Sequence, residues 1–215
     1  MKVYFIAGLG ANKRAFQFMD LTWCEPVFID WQQPLPNETL PQYAQRLRAL
    51  IPQVAPIIVG VSFGGMLATE MAKADDKVNA IIISSNKTAA EFPASLRLWK
   101  YFPVYKWVPP SVVKITGRYS KYFVGPDGKQ QKKLFQLIQS EADPVFTAWA
   151  IGAILNWQNS TVPPNVVHIH GTHDRLLPFK LVKAHHIIPN GKHIMIMDKA
   201  AEVSALLKQL LVPGM

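Results

Sequence analysis

The feature that most constrains this chain is Gly60-Val61-Ser62-Phe63-Gly64, a G-x-S-x-G set between a strand-like run and a helix-like one. Pro56-Ile57-Ile58-Val59 is short, β-branched and bounded by proline, which predicts a buried parallel strand. The residues from Gly65 to Lys73 predict the start of a helix. A strand that becomes a helix within so few residues lifts the central hydroxyl above the carboxyl edge of a sheet, in strained backbone that flanking glycines make room for. Ser62 is therefore a candidate nucleophile, with Gly60 and Gly64 removing the collisions. A glycine-rich turn carrying a solvated serine is the plainer alternative.

A serine hydroxyl attacks poorly near neutral pH without a histidine base and an acid that fixes the tautomer of that histidine. Both types follow downstream. The segment Val166-Val167-His168-Ile169-His170-Gly171-Thr172-His173-Asp174 is a second apolar strand that ends through glycine on Asp174. Pro189-Asn190-Gly191-Lys192-His193 places His193 on a turn after a short strand around His185 to Ile188. The chain order is Ser62, Asp174, His193. Asp30, also at a strand end, is an alternative acid, with a pocket-lining or structural role expected instead.

The elbow and that chain order resemble the α/β-hydrolase family, and the resemblance covers nearly the whole chain. It implies a Ser62–His193–Asp174 triad and an oxyanion hole. The family often carries His-Gly-x after its first core strand. Here Lys2 to Ile6 leads into Ala7-Gly8-Leu9-Gly10, so the backbone N–H groups of Leu9 and Phe63 would hold the oxyanion, with Ala7 replacing the usual histidine. The implied reaction is hydrolysis of a carboxylic ester or thioester of a small acyl substrate through an acyl-enzyme, with no cofactor. A serine in place of aspartate at the elbow disfavours epoxide hydrolysis and dehalogenation. An acyltransferase or amidase with the same triad, or a non-catalytic ligand-binding protein, remains open.

Strands and helices alternate along the chain, which predicts an α/β fold: a mostly parallel sheet of about six strands with helices on both faces. Expected elements are strands at Val3–Ala7, Pro26–Trp31 and Val78–Ser84, and a helix at Lys13–Leu21. A helix capped by Asn37-Glu38-Thr39 would bury Tyr43, Leu47, Leu50 and Ile51, and a last helix capped by Asp198 would bury Val203, Leu206, Leu207, Leu210 and Leu211. Few residues precede the elbow, so the antiparallel pair that often opens the family fold is expected to be missing. Only 18 residues separate Asp174 from His193, so the crossover between their strands should shrink to a turn around Pro178-Phe179-Lys180.

The core is expected to comprise residues 1–86 and 159–215, with 87–158 inserted as a helical lid, because that stretch is too long for a simple connection. It carries helix-like runs at Lys132–Ser140 and Asp143–Asn156 and is rich in aromatics. Trp31, Trp149, Asn156 and Trp157 are the expected substrate-pocket residues. The insertion holds ten basic residues against four acidic ones, most of the chain's formal net charge of +9. Such a lid, with basic and aromatic residues interleaved over 98–107, would suit an acidic carrier protein or an anionic lipid surface; charge that serves solubility is the plainer reading. No recognition motif accompanies the charge, so nucleic acid is not an expected partner.

At 215 residues and 49% hydrophobic content, the chain is large and apolar enough for a core. Its one cysteine, Cys24, suits a reducing compartment. No stretch reaches a membrane span and the apolar N-terminal run is short, so a cytoplasmic location is expected. The histidines at 168, 170 and 173 do not have the spacing of a familiar zinc signature, so no metal is expected.

Overall fold

The computed structural model describes residues 1–99 and 126–212. Its centre is a sheet of six strands, β1 (Lys2–Ile6), β2 (Glu25–Phe28), β3 (Ile57–Val61), β4 (Asn79–Ile83), β5 (Val166–Gly171) and β6 (His186–Ile188), in the order β2-β1-β3-β4-β5-β6. Every pairing is parallel, including Phe5 with Val59 and Val61 with Ile83. No antiparallel pair precedes them among the described residues. The alternation of side chains along each strand divides the core into two layers. Tyr4, Ile6, Ile58, Ala80 and Ile82 face one layer, and Val3, Phe5, Val59, Val61, Ile81 and Ile83 face the other.

Helix α1 (Leu40–Arg48) and helix α2 (Phe63–Ala74) cover the first face. α1 starts at a capping box, in which Thr39 and Gln42 satisfy each other's backbone N–H groups. It ends at Arg48, so Leu50, expected on its buried face, lies beyond the helix and is 53% exposed, while Ile51 is buried. The second face is covered by α6 (Met195–Asp198), α7 (Ala200–Leu211) and a 3-10 turn at Lys13–Phe16.

That turn replaces the helix expected over Lys13–Leu21. Gln17 N–H donates to Arg14 and Met19 N–H to Phe16, a three-residue spacing, and Asp20 then turns its side chain onto the Thr22 N–H and hydroxyl. The last helix also starts later than expected. The Asp198 Oδ1 accepts from the Asp127 N–H at 2.9 Å rather than capping α7, and Lys199 takes the cap position. Strand β2 stops at Phe28, short of Trp31, because the chain there leaves the sheet: the Trp31 indole N–H donates to Ala11 O and the Gln32 N–H to the Tyr43 hydroxyl.

Between β4 and β5 the described elements are α3 (Ala94–Trp99), α4 (Lys129–Ser140) and α5 (Pro144–Asn156). The side chain of Asp143 caps α5 through the N–H groups of Val145 and Phe146. α4 buries Leu134, Phe135 and Ile138 in the second layer, and α5 buries Phe146 and Ala150 in the first. Residues 100–125, which carry five of the ten basic residues noted above, lie outside the described residues. Among the described residues no helix is long and apolar enough to cross a membrane.

Candidate active site

Because all six strands run the same way, the loops after β3, β5 and β6 meet at one edge of the sheet, where open α/β sheets bind ligands. Those loops carry Ser62, Asp174 and His193.

Ser62 sits between β3 and α2 at φ 51° and ψ −116°, a backbone conformation that L-residues rarely adopt. Its neighbours explain why it stays there. A Cβ on Gly60 would stand 2.3 Å from the Gly64 carbonyl oxygen, and one on Gly64 would stand 2.4 Å from the carbonyl oxygens of both Ile6 and Ala7. Only bare backbone fits at either position, so the elbow is clamped between its own helix and the end of β1. Gly65 adds a third close approach, 2.5 Å from the Ser85 side chain, which sequence reading did not single out. The Ser85 hydroxyl donates to the Ser62 carbonyl at 2.7 Å, and the Ser62 N–H donates to Ile83 at 2.9 Å.

The Ser62 hydroxyl lies 2.9 Å from His193 Nε2, and His193 Nδ1 lies 2.8 Å from Asp174 Oδ2. An ionised carboxylate only accepts hydrogen bonds, so His193 Nδ1 carries the proton and Nε2 is bare toward the serine. The other oxygen, Asp174 Oδ1, accepts from the Leu176 and Leu177 N–H groups at 2.9 and 2.8 Å. Burial alone would raise the Asp174 pKa. Attraction to the His193 imidazole when it is protonated, the His193 hydrogen bond and the Leu177 N–H outweigh it and hold the carboxyl below its ordinary value.

The loop after β1 runs directly beside the elbow, where a Cβ on Gly8 would stand 3.4 Å from the Ser62 Cβ. Phe63 opens α2, so its N–H is one of the helix-start donors that have no carbonyl of their own helix. Ala7 is buried at the end of β1.

The profile of the α/β-hydrolase family matches residues 3–206. The chain belongs to the α/β-hydrolase family. No curated protein sequence matches it. Among solved structures, a hydrolase from Pseudomonas aeruginosa PA01 superposes with a TM-score of 0.75 at 10% identity, over 98% of this chain and 89% of that one. A thermophilic esterase from Thermogutta terrifontis gives 0.74 at 15% identity, over 98% and 89% of the two chains. An esterase from Exiguobacterium antarcticum gives 0.72 at 16% identity, over 98% and 91%. At these identities the likeness is one of fold.

In this α/β-hydrolase an aromatic wall rises beside the elbow. The Phe63 ring lies 5.7 Å from Trp31, 6.3 Å from Phe146 and 6.2 Å from Trp149, and Tyr43 lies 4.6 Å from Trp149. Trp31 and Trp149 were expected near the serine. Tyr43 and Phe146 join them because α1 and α5 pack side by side, a long-range contact that no local pattern records. Burial pushes the Tyr43 hydroxyl up to about 12, and its backbone partner Gln32 opposes the shift, so it stays a neutral wall residue.

The other two expected pocket residues, Asn156 and Trp157, sit at the end of α5. Trp157 is buried, stacks edge-on with Phe92 and donates from Nε1 to Glu70 Oε1 at 2.7 Å. Glu70 is seven residues along α2 from Phe63, roughly 10 Å from the elbow, so Trp157 packs the core under the helix. Asn156 is exposed at the end of α5 and bonds back to Gly152. Asp30 is exposed as well, and Asp174 is the carboxylate that meets His193. His168 and His170 are bonded to each other and His173 is exposed beside Thr172. Among the described residues no three His, Cys, Asp or Glu side chains group around a point a metal ion could occupy.

Proposed function

We propose that this chain is a serine hydrolase of carboxylic esters or thioesters, with Ser62 as nucleophile, His193 as general base and acid, and Asp174 as the group that orients His193. The observation that carries the reading is the continuous path Ser62 Oγ to His193 Nε2 at 2.9 Å and His193 Nδ1 to Asp174 Oδ2 at 2.8 Å. Family membership and the esterases of the same fold support it.

His193 Nε2 takes the hydroxyl proton as Ser62 Oγ bonds to the acyl carbon, and the carbonyl electrons move onto oxygen. The N–H groups of Leu9 and Phe63 hold that oxyanion. When the tetrahedral centre collapses, the bond to the leaving oxygen or sulfur breaks and His193 Nε2–H protonates it. Water then attacks the acyl-enzyme, giving its proton to His193, which returns it to Ser62 as the acid leaves. Asp174 stays ionised throughout, consistent with its lowered pKa.

The aromatic wall of Trp31, Phe63, Phe146 and Trp149 favours an apolar or aromatic acyl group. Residues 87–158 belong to the same proposal as a lid over the site. Its basic residues suit an acyl chain presented by an acidic carrier protein or an anionic lipid surface, and rising salt should then slow a carrier-linked substrate but not a small ester.

The test is incubation with a fluorophosphonate probe, with mass mapping of the adduct in wild type, Ser62→Ala and His193→Ala. Labelling confined to Ser62 and lost in both variants is the expected result. A folded wild-type protein that takes no label overturns the reading.

A further inference from the structure

The steps above use His193 and Asp174 and leave two buried imidazoles behind them without a role. His168 and His170 lie two residues apart on β5, so both point to one face of the sheet, and both are fully buried. Their rings meet edge-on, with planes at 88°. His168 Nε2 is 3.1 Å from His170 Nδ1. On its other side, His170 Nε2 is 2.8 Å from the Leu177 carbonyl oxygen and 3.5 Å from Asp174 Oδ2.

These contacts fix the protons. Both neighbours of His170 Nε2 are acceptors, so that nitrogen carries hydrogen. A neutral His170 then has a bare Nδ1, which accepts from His168 Nε2–H. That leaves His168 Nδ1 bare, and it is buried with no hydrogen-bond partner among the described residues. Burial first, then His170, Lys87 and His185, push His168 down to about 2. Burial also lowers His170, with His193 acting the same way and the Leu177 carbonyl, Asp174 and Glu91 opposing. Both rings are therefore neutral near pH 7, and donation runs one way, from His168 to His170 to the Leu177 carbonyl.

Leu177 closes a circuit with the acid. Its N–H donates to Asp174 Oδ1 at 2.8 Å while its carbonyl is held by His170. An apolar residue at 170 would leave that carbonyl unpaired and free the loop that turns Asp174 toward His193.

We propose that His170, held in one tautomer by His168, is a positioning residue that fixes the Asp174–Leu177 loop and so aims the carboxylate at His193. The proposal rests on the triad reading and deepens it.

The test compares His170→Gln, whose amide nitrogen reaches the Nε2 position, with His170→Asn, which reaches only the Nδ1 position. Measured are the fluorophosphonate labelling rate, kcat and KM on p-nitrophenyl butyrate, and the proton resonance of His193 Nδ1–H. His170→Gln should stay within about threefold of wild type, and His170→Asn should lose about 10- to 100-fold in labelling and kcat with KM unchanged, as expected of an orienting partner. The His193 resonance should persist in the first and shift or vanish in the second, a readout that does not need turnover. His168→Asn, whose amide reaches only the Nδ1 position and so cannot donate to His170 Nδ1, leaves both Asp174 contacts in place, should give a smaller loss of the same kind, and serves if His170→Asn fails to fold. Wild-type rates in His170→Asn or His168→Asn with the His193 resonance unmoved would overturn the proposal alone. A wild type that takes no label, or a Ser62→Ala variant that still does, overturns the triad reading and the proposal with it.

Discussion

A Cβ on Gly171 would stand 2.2 Å from the carbonyl oxygen of Gly191. The two glycines press the loop after β5 onto the loop after β6. The His173 N–H donates to Gly191 at 2.9 Å, and the Asn190 N–H to the Thr172 hydroxyl at 2.9 Å. Asp174 lies three residues beyond one glycine and His193 two beyond the other, so this contact sets the 2.8 Å between carboxylate and imidazole.

Gly171→Ala must therefore force the two loops apart. The obstacle is backbone, which cannot rotate aside, so the expected cost is about 1–3 kcal/mol of stability by urea denaturation. Displacing His193 by about an ångström should also lower kcat for ester hydrolysis by as much as about 100-fold. Wild-type turnover in a folded Gly171→Ala protein would show that the loops are held together by other means.

The elements that the sequence made legible are those written in local pattern. Ile57 to Val61 is apolar and β-branched, and the glycines at 60 and 64 announce a turn that tolerates no side chain, so strand, elbow and helix could be read together. The strand leading to Asp174 could be read the same way. Positions decided by contacts across the fold were hidden. Nothing near Asp198 signals that Asp127 will claim its carboxylate. Nothing near Trp157 signals that Glu70, 87 residues away, will be its partner. The His168–His170 contact was hidden as well, because residue type and spacing show that two imidazoles share a face but not that they bond to each other.

Stability should fall as pH falls below neutrality, and the buried histidines are the reason. In the unfolded chain an imidazole takes up a proton at its ordinary pKa of about 6.5, whereas native His168 stays neutral down to about 2. Below that ordinary value the unfolded chain binds a proton that the native one refuses, so His168 alone should remove about 2 kcal/mol between pH 7 and pH 5. His170 and the more exposed His185 are shifted in the same direction and act in the same sense. Asp174 works in a different window. Its native pKa is lowered, so its contribution is intact above the ordinary carboxylate value and is lost only as pH falls through the native one. Urea unfolding at pH 7, 6 and 5 should show a steady loss that His168→Gln makes shallower. An unfolding free energy that is flat from pH 7 to pH 5 would contradict the assignment of neutral, buried rings.

Trp157 separates core from pocket. Trp157→Phe keeps the ring against Phe92 but removes the indole N–H from Glu70 Oε1, leaving that buried carboxylate with Lys73 at 2.6 Å on its other oxygen. The expected cost is about 1–3 kcal/mol in denaturant unfolding. The kcat/KM for a short ester should stay within about twofold, because the change is remote from Ser62. A selective loss of activity at unchanged stability would return Trp157 to the substrate pocket.

Trp149 should behave in the opposite way. Its ring meets Phe63 and Tyr43, and its indole N–H is anchored to the Glu38 carbonyl at 2.9 Å, which fixes one side of the wall beside the residue that follows Ser62. Trp149→Leu removes the anchor and most of the flat apolar surface while leaving the path from Ser62 to Asp174 untouched. A long-chain or aryl acyl group that rests on the wall should lose about 1–3 kcal/mol of transition-state binding, whereas an acetyl group too short to reach it should lose little. The comparison is kcat/KM on p-nitrophenyl octanoate against p-nitrophenyl acetate, where the ratio should fall by about tenfold or more. An equal fall on both esters would mean that Trp149 supports the fold around the elbow and does not select the acyl group.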